Sequence, residues 1–252
     1  MAAAYDNYDY PGYWKGREYE HQSEAIAIKN FFSRVGQNKK VLDIGSGYGR
    51  LTKIYREFSK QTTLADPSSK ILKRAKAYLN GQMQSVNFVH SSLQNLPRKL
   101  KTKKYDVVIL VRVMHHIKDP GVAINMASRY LPKGGFLILE FANKLHGKAL
   151  FQNFINGNFT FPLDIFPLDK RSKKNINKNS ILFLNHHPDS VEVNLKKNGF
   201  KIVDKRSVSN IRAKNVKRFL SLPQLVKLEA LVQKPLARLN FGPSIFILAQ
   251  KK

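Results

Sequence analysis

The segment that most constrains this chain is Val41-Leu42-Asp43-Ile44-Gly45-Ser46-Gly47-Tyr48-Gly49-Arg50, an apolar run that passes through a glycine-rich turn into a helix-forming stretch. Glycines at such a turn admit backbone conformations closed to other residues and let the main chain approach a ligand closely. A strand that feeds a helix through this kind of loop belongs to a parallel, doubly wound sheet, with the ligand at the carboxyl ends of the strands. The dinucleotide fingerprint asks for glycines at the first, third and sixth positions, but the sixth residue from Gly45 is Arg50, and Gly49 is the fifth. Asp43, two residues before the first glycine, is expected to face the crevice. A carboxylate there disfavours a pyrophosphate and suits a ligand bearing an ammonium group.

The rest of the chain repeats the same winding. Residues 20–35 place Ala25, Ile28, Phe31, Phe32 and Val35 at helical spacing. Extended segments are predicted at KVLDIG, TTLAD, VNFVH, YDVVILV and FLILEFA, with helices over 49–58, 69–79 and 122–130 between them. From Asn143 to Pro188 the pattern weakens into aromatics (Phe151, Phe154, Phe159, Phe161, Phe166) and a polar run, which reads as an insertion over the sheet's edge. A helix over 189–198 is closed by Gly199. FKIVDKRSV and SIFILAQ are strands, and residues 215–239 between them are mostly helical with Pro223 and Pro235 as breaks. At 252 residues this makes one domain: a lid and helix over 1–36, a ligand-binding core over 37–142, a substrate-side insertion over 143–190, and C-terminal strands with basic helices over 191–252.

These motifs, in this order, resemble the class I S-adenosylmethionine-dependent methyltransferases, and among them the type 11 group that includes ubiquinone and menaquinone C-methyltransferases. The resemblance covers residues 38–141. It implies a Rossmann-like, mainly parallel seven-stranded sheet with helices on both faces, a final antiparallel pair, and S-adenosylmethionine as cofactor. VLDIGSGYG is similar to the family's first motif, so that Gly45, Ser46 and Gly47 would contact the methionine part with Asp43 assisting. Asp66, in TLADPS with Pro67 after it, stands 19 residues after Gly47, where the family's acidic residue holds both ribose hydroxyls. YDVVILVRVMHHIKDP and LPKGGFLILEF resemble the fourth strand and a Gly-Gly hairpin before the fifth. The chain departs from the family at HSSLQNLP, where Ser92 replaces the acid that binds the adenine amino group. Serine still accepts that bond, and the backbone of Leu93 is the other candidate.

Several side chains carry two readings each. His115 and His116 follow the fourth strand at the crevice and serve either as a general base or as hydrogen-bonded structural groups. His186-His187 lacks ligand spacing to a carboxylate cluster, which speaks against a metal. The opening YPGYWKGREYEH suits a lid that excludes water, with Arg17 pairing the cofactor carboxylate, and the pocket would be walled by this lid, by Arg112 to Ile117 and by the aromatics from Phe151 to Phe166. Methyl transfer to a small, partly apolar or lipid-like acceptor is the expected function, with an RNA methyltransferase as the alternative.

The alternative comes from charge, since 44 basic against 17 acidic residues leave a net +27. Residues 143–252 carry 21 basic and 6 acidic side chains, and residues 1–142 carry 23 and 11, so the excess is spread throughout. It fits a lysine-biased composition, an RNA partner along Lys196 to Arg218, or an anionic membrane surface. The absence of cysteine excludes thiolate chemistry, and no apolar stretch approaches the roughly 18 residues of a membrane span. With no apolar leader-like segment at its start, the chain is expected in the cytoplasm.

Overall fold

The structure, a computed structural model, describes residues 9–80, 84–101, 103–177 and 180–252, apart from the side chains of Lys214 and Asn215. The first eight residues of the expected lid therefore lie outside the described residues, as does the side chain of Lys214 in the basic stretch.

Seven strands form one sheet: β1 (Lys39–Ile44), β2 (Ser59–Asp66), β3 (Val86–His90), β4 (Val107–Leu110), β5 (Phe136–Ala142), β6 (Phe200–Val208) and β7 (Ser244–Lys251). Their order is β3-β2-β1-β4-β5-β7-β6. The first five run parallel, and β7 pairs antiparallel with both β5 and β6. The order reverses between β1 and β4, and a crevice opens at such a switch point at the carboxyl ends of the strands.

Alternation along the strands builds a core on each face. Leu42, Ile44, Val108, Leu110, Leu137 and Leu139 pack on one side with α3 (Pro120–Ser128) and α5 (Pro188–Lys197). Val41, Val107, Ile109 and Ile138 face the other way, onto Ile28, Phe31, Phe32 and Val35 of α1 (Glu18–Val35). Helix α2 (Ser69–Tyr78) is capped by the Ser68 hydroxyl, which accepts from Ile71 N at 3.1 Å. Helix α6 (Leu222–Ala237) lies against α1, where Tyr19 donates its hydroxyl to Glu229 at 2.5 Å. No helix among the described residues is long and apolar enough to cross a membrane.

Four expectations shift. The helix expected over 49–58 is one short turn, Thr52–Tyr55, followed by a tighter turn over Arg56–Phe58, because Gly49 at φ +78° keeps the loop from winding earlier. Lys133-Gly134-Gly135 makes no hairpin: β4 and β5 are parallel, and the turn joins α3 to β5. Pro223 opens α6 and Pro235 sits inside it, so neither breaks the helix; a proline in the first turn forfeits no intrahelical donor. The segment after Ala142 lies beyond the carboxyl end of β5, not over the sheet's edge, since His186 N donates to Ala142 O and Lys144 N to His186 O. It contains α4 (Gly147–Ile155) and a short antiparallel ribbon, Leu168–Asp169 with Leu184–Asn185.

Candidate active site

A cavity of about 410 Å³ opens at the carboxyl ends of β1, β2 and β4. Its floor is the glycine loop, in which Gly45 and Gly47 have φ of +73° and +57°. A side chain at Gly45 would meet Val113 Cγ2 at 2.3 Å, so the β4 loop packs flat against a bare backbone. The end of β2 forms the next wall. Asp66 accepts from Gly47 N at 3.0 Å through one carboxylate oxygen and from Ser68 N at 2.8 Å through the other, which fixes the carboxylate on the cavity rim beside Pro67. Ser92 and Leu93 continue that wall, and the Ser92 hydroxyl accepts from Asn95 N at 3.4 Å at the start of the Leu93–Asn95 turn.

Arg112 closes the far side. It holds φ +62°, a left-handed conformation that costs a non-glycine residue energy and persists only when its surroundings impose it. The restraints are two: its N–H donates to Glu140 at 2.8 Å, and its guanidinium binds Glu24, with Nε at 2.9 Å. Glu24 also pairs with Arg50. Burial alone would raise the Glu24 pKa, but the two guanidinium groups outweigh it and hold the carboxyl below its usual range. Trp14 packs into this cluster, with the Arg50 guanidinium 3.5 Å over its ring. Tyr10 and Tyr13, from the same N-terminal turn, line the cavity, and Tyr10 rests on Gly47. Sequence reading missed Glu24, although a signal was present: it lies on the apolar stripe of α1 at helical spacing with Ile28, Phe31 and Val35.

Three of the expected contact residues are placed elsewhere. Asp43 lies on the face of β1 opposite Ile44, because successive side chains of a strand alternate, and it accepts from Tyr55 Oη at 2.7 Å behind the loop. Burial raises its pKa to about 7, the Tyr55 bond opposing the shift and the Asp66 charge adding to it. The buried Ser46 hydroxyl is off the cavity wall. Arg17 stacks at 4.1 Å on the Tyr13 ring and does not line the cavity.

On the acceptor side, His115 and His116 line the cavity with Ile117. Burial pushes the His115 pKa well below the usual histidine value, and the His116, Arg112 and His186 charges add to the shift, so the ring is neutral. His116 Nδ1 bonds Leu182 O at 2.6 Å, and burial lowers its pKa as well. The remaining wall is Ile181, Leu182 and Phe183, with the Phe183 ring 4.8 Å from His115. This replaces the expected wall of Phe151 to Phe166, whose aromatics do not reach the cavity. The apolar run ILFL after the polar stretch was the available signal. His186 and His187 bond the carbonyls of Met114 and Pro162 at 2.9 and 3.0 Å and so serve as struts.

The residues on the wall fit S-adenosylmethionine: a carboxylate at the end of β2 for a diol, exposed glycine backbone for the amino-acid part, and an apolar far end. A family model described as a methyltransferase domain, type 11, matches residues 42–139. The ubiquinone biosynthesis O-methyltransferase of Nitrosospira multiformis is 31% identical over 113 residues, 45% of this chain and 47% of that protein. The protein of the same name from Nitrosomonas europaea is 28% identical over 126 residues, 49% of this chain and 53% of the relative. The chain thus spans about half the length of the curated relatives it matches. An S-adenosylmethionine-dependent methyltransferase structure from Mesorhizobium loti superimposes with a TM-score of 0.59 at 14% identity, covering 89% of this chain and 96% of that one. Motif order, strand order and cavity agree with these findings: the chain has the Rossmann-like fold of that structure, and its residues 42–139 match a methyltransferase domain.

Proposed function

We propose that the protein transfers the methyl group of S-adenosylmethionine to a hydroxyl oxygen of a small, partly apolar acceptor. The observation that carries this reading is the continuity of one cavity, from Asp66 and the glycine loop at one end to His115, Ile117, Leu182 and Phe183 at the other. Cofactor and acceptor then share a single cavity. The names of the curated relatives, O-methyltransferases of ubiquinone biosynthesis, support a hydroxylated ring with a lipid-like tail as the acceptor class.

Asp66 would hold the ribose hydroxyls, Gly45 and Gly47 the amino-acid part, and Ser92 with Leu93 the adenine. When bound, the cofactor supplies a methyl group already activated by its sulfonium. The chain's own work is alignment, exclusion of water and proton handling. Tyr10, Tyr13 and Trp14 act as the lid over the loop. His115, neutral in its buried position on the acceptor side of the cavity, would take the proton of the acceptor hydroxyl.

The test is to incubate the purified protein with methyl-labelled S-adenosylmethionine and a cell extract, then partition the label between organic solvent, RNA and aqueous metabolites. Label in the organic phase, released as a methyl ether, supports the proposal. Label lost on ribonuclease treatment overturns it in favour of RNA.

A further inference from the structure

The segment that fails to wall the cavity leaves an unusual surface. Phe151, Phe154, Phe159 and Phe166 are 65%, 66%, 65% and 73% exposed, and Ile155, Leu163 and Ile165 are exposed beside them. Contiguous exposed apolar groups of this number on a folded domain mark an interaction surface. Phe151, Phe154 and Ile155 stand at i, i+3 and i+4 on α4, so one helical face is apolar and turned outward.

The surface is built and not frayed. The buried Lys144 donates to Phe166 O at 2.9 Å and pairs with the Asp164 carboxylate at 2.7 Å, pinning the loop that carries Leu163 to Phe166. The Phe154 and Phe159 rings meet edge to face at 5.4 Å. The return leg of the same segment, Ile181 to Phe183, is a wall of the cavity, so the patch and the cavity lie at one end of the molecule.

Its rim is cationic. Lys148 on α4 and Lys170, directly after the Leu168–Asp169 strand, are exposed, and their charges, with that of Arg212, add to the burial that lowers the pKa of His146 at the N-terminus of α4. The two carboxylates of the stretch, Asp164 and Asp169, are already paired with Lys144 and Arg171. An isologous contact with a second copy would bring these like-charged rims face to face. An anionic bilayer instead meets the aromatics with its acyl region and the rim with its headgroups.

We infer that residues 147–168 dock the protein on an anionic lipid membrane, with the aromatic face of α4 and the Phe159 to Phe166 loop inserted at the headgroup boundary. The cavity mouth then faces the phase in which lipid-like molecules are dissolved. The inference stands apart from the acceptor reading, because docking needs neither cofactor nor acceptor.

The experiment is flotation of the full-length protein with vesicles of phosphatidylcholine containing roughly 30% phosphatidylglycerol, and with phosphatidylcholine alone. The wild type is expected to float with the anionic vesicles. The variant Phe151→Ser/Phe154→Ser/Phe159→Ser, with its fold verified by retained binding of S-adenosylhomocysteine, should partition at least about tenfold less. Lys148→Glu/Lys170→Glu should weaken binding in a salt-dependent way. The single variant Phe154→Ser replaces the triple one if that fails to fold. Equal flotation of wild type and aromatic variant would assign binding to the diffuse +27 charge and overturn the inference. So would absence of flotation, or a wild-type dimer that the aromatic variant dissolves in light scattering.

Discussion

Residues 41–67 and residues 147–168 are both rich in apolar side chains, yet they use them in opposite ways. In the first region Val41, Leu42, Leu64 and Ala65 are fully buried, and the carboxylates of Asp43 and Asp66 that interrupt them are bonded within the fold. In the second, Phe161 alone among its four phenylalanines from 151 to 161 is buried, and the others face outward. The difference is one of partners: a strand inside a parallel sheet is covered on both faces, whereas a segment beyond the end of β5 is covered on one side at most. Apolar content therefore does not by itself assign a residue to the core.

This contrast can be broken by mutation, and the largest effect is expected in the buried region. Glu24→Ala leaves the Arg50 and Arg112 guanidinium groups without their common counter-charge, and loss of one partner from a buried ion network costs about 3–5 kcal/mol. Urea unfolding should show that loss. A variant within about 0.5 kcal/mol of wild type would mean that water reaches the cluster freely.

Next comes a pH effect. Burial raises the Asp43 pKa from 3.8 to about 7, so between these values the folded chain keeps a proton that the unfolded chain has released. The stability contributed by protonated Asp43 is fully present below about pH 4 and is lost as pH rises through about 7. Asp43→Asn removes this slope. It should match wild type near pH 4 and exceed it at pH 8 by an amount on the order of a few kcal/mol. Parallel unfolding midpoints for the two proteins across this range would show that Asp43 ionises without penalty.

Asp66→Ala should weaken S-adenosylhomocysteine binding by at least about tenfold, equivalent to about 1.4 kcal/mol, through loss of a charge-assisted pair of hydrogen bonds. Calorimetry reads it directly, and wild-type affinity would remove Asp66 from the ribose site. The smallest effect is expected in the exposed region, where Phe154→Ser should change the unfolding free energy by less than about 0.5 kcal/mol. A cost above about 2 kcal/mol would show that the patch is packed in solution and belongs with the core.

Legibility in the sequence followed the range of the interactions. The seven strands and the order of their helices were readable because periodicity is local: FKIVDKRSV is β6 residue for residue. Gly45, Gly47, Asp66, Pro67, Ser92, Leu93, Arg112, His115 and His116 all reach one cavity, since a motif at a strand end is carried there by the sheet itself. Asp43 and Arg17 stand off the cavity wall for different reasons. Asp43 follows from strand parity, which the sequence contained. Arg17 does not, because its choice between a ligand and the Tyr13 ring depends on how the N-terminal turn folds back over Gly47.

The amino-acid sequence by itself determined the doubly wound sheet, the glycine floor and the carboxylate at the end of β2, because each rests on neighbours within a few residues or on the alternation of one strand. Only the tertiary structure decided that Glu24 joins Arg50 and Arg112, that Ile181 to Phe183 wall the cavity in place of Phe151 to Phe166, and that those aromatics stay outside. These are contacts between segments dozens of residues apart. Chain geometry brings such segments together only after the sheet has formed, so the apolar stripe around Glu24 and the run ILFL mark these residues without showing what they meet.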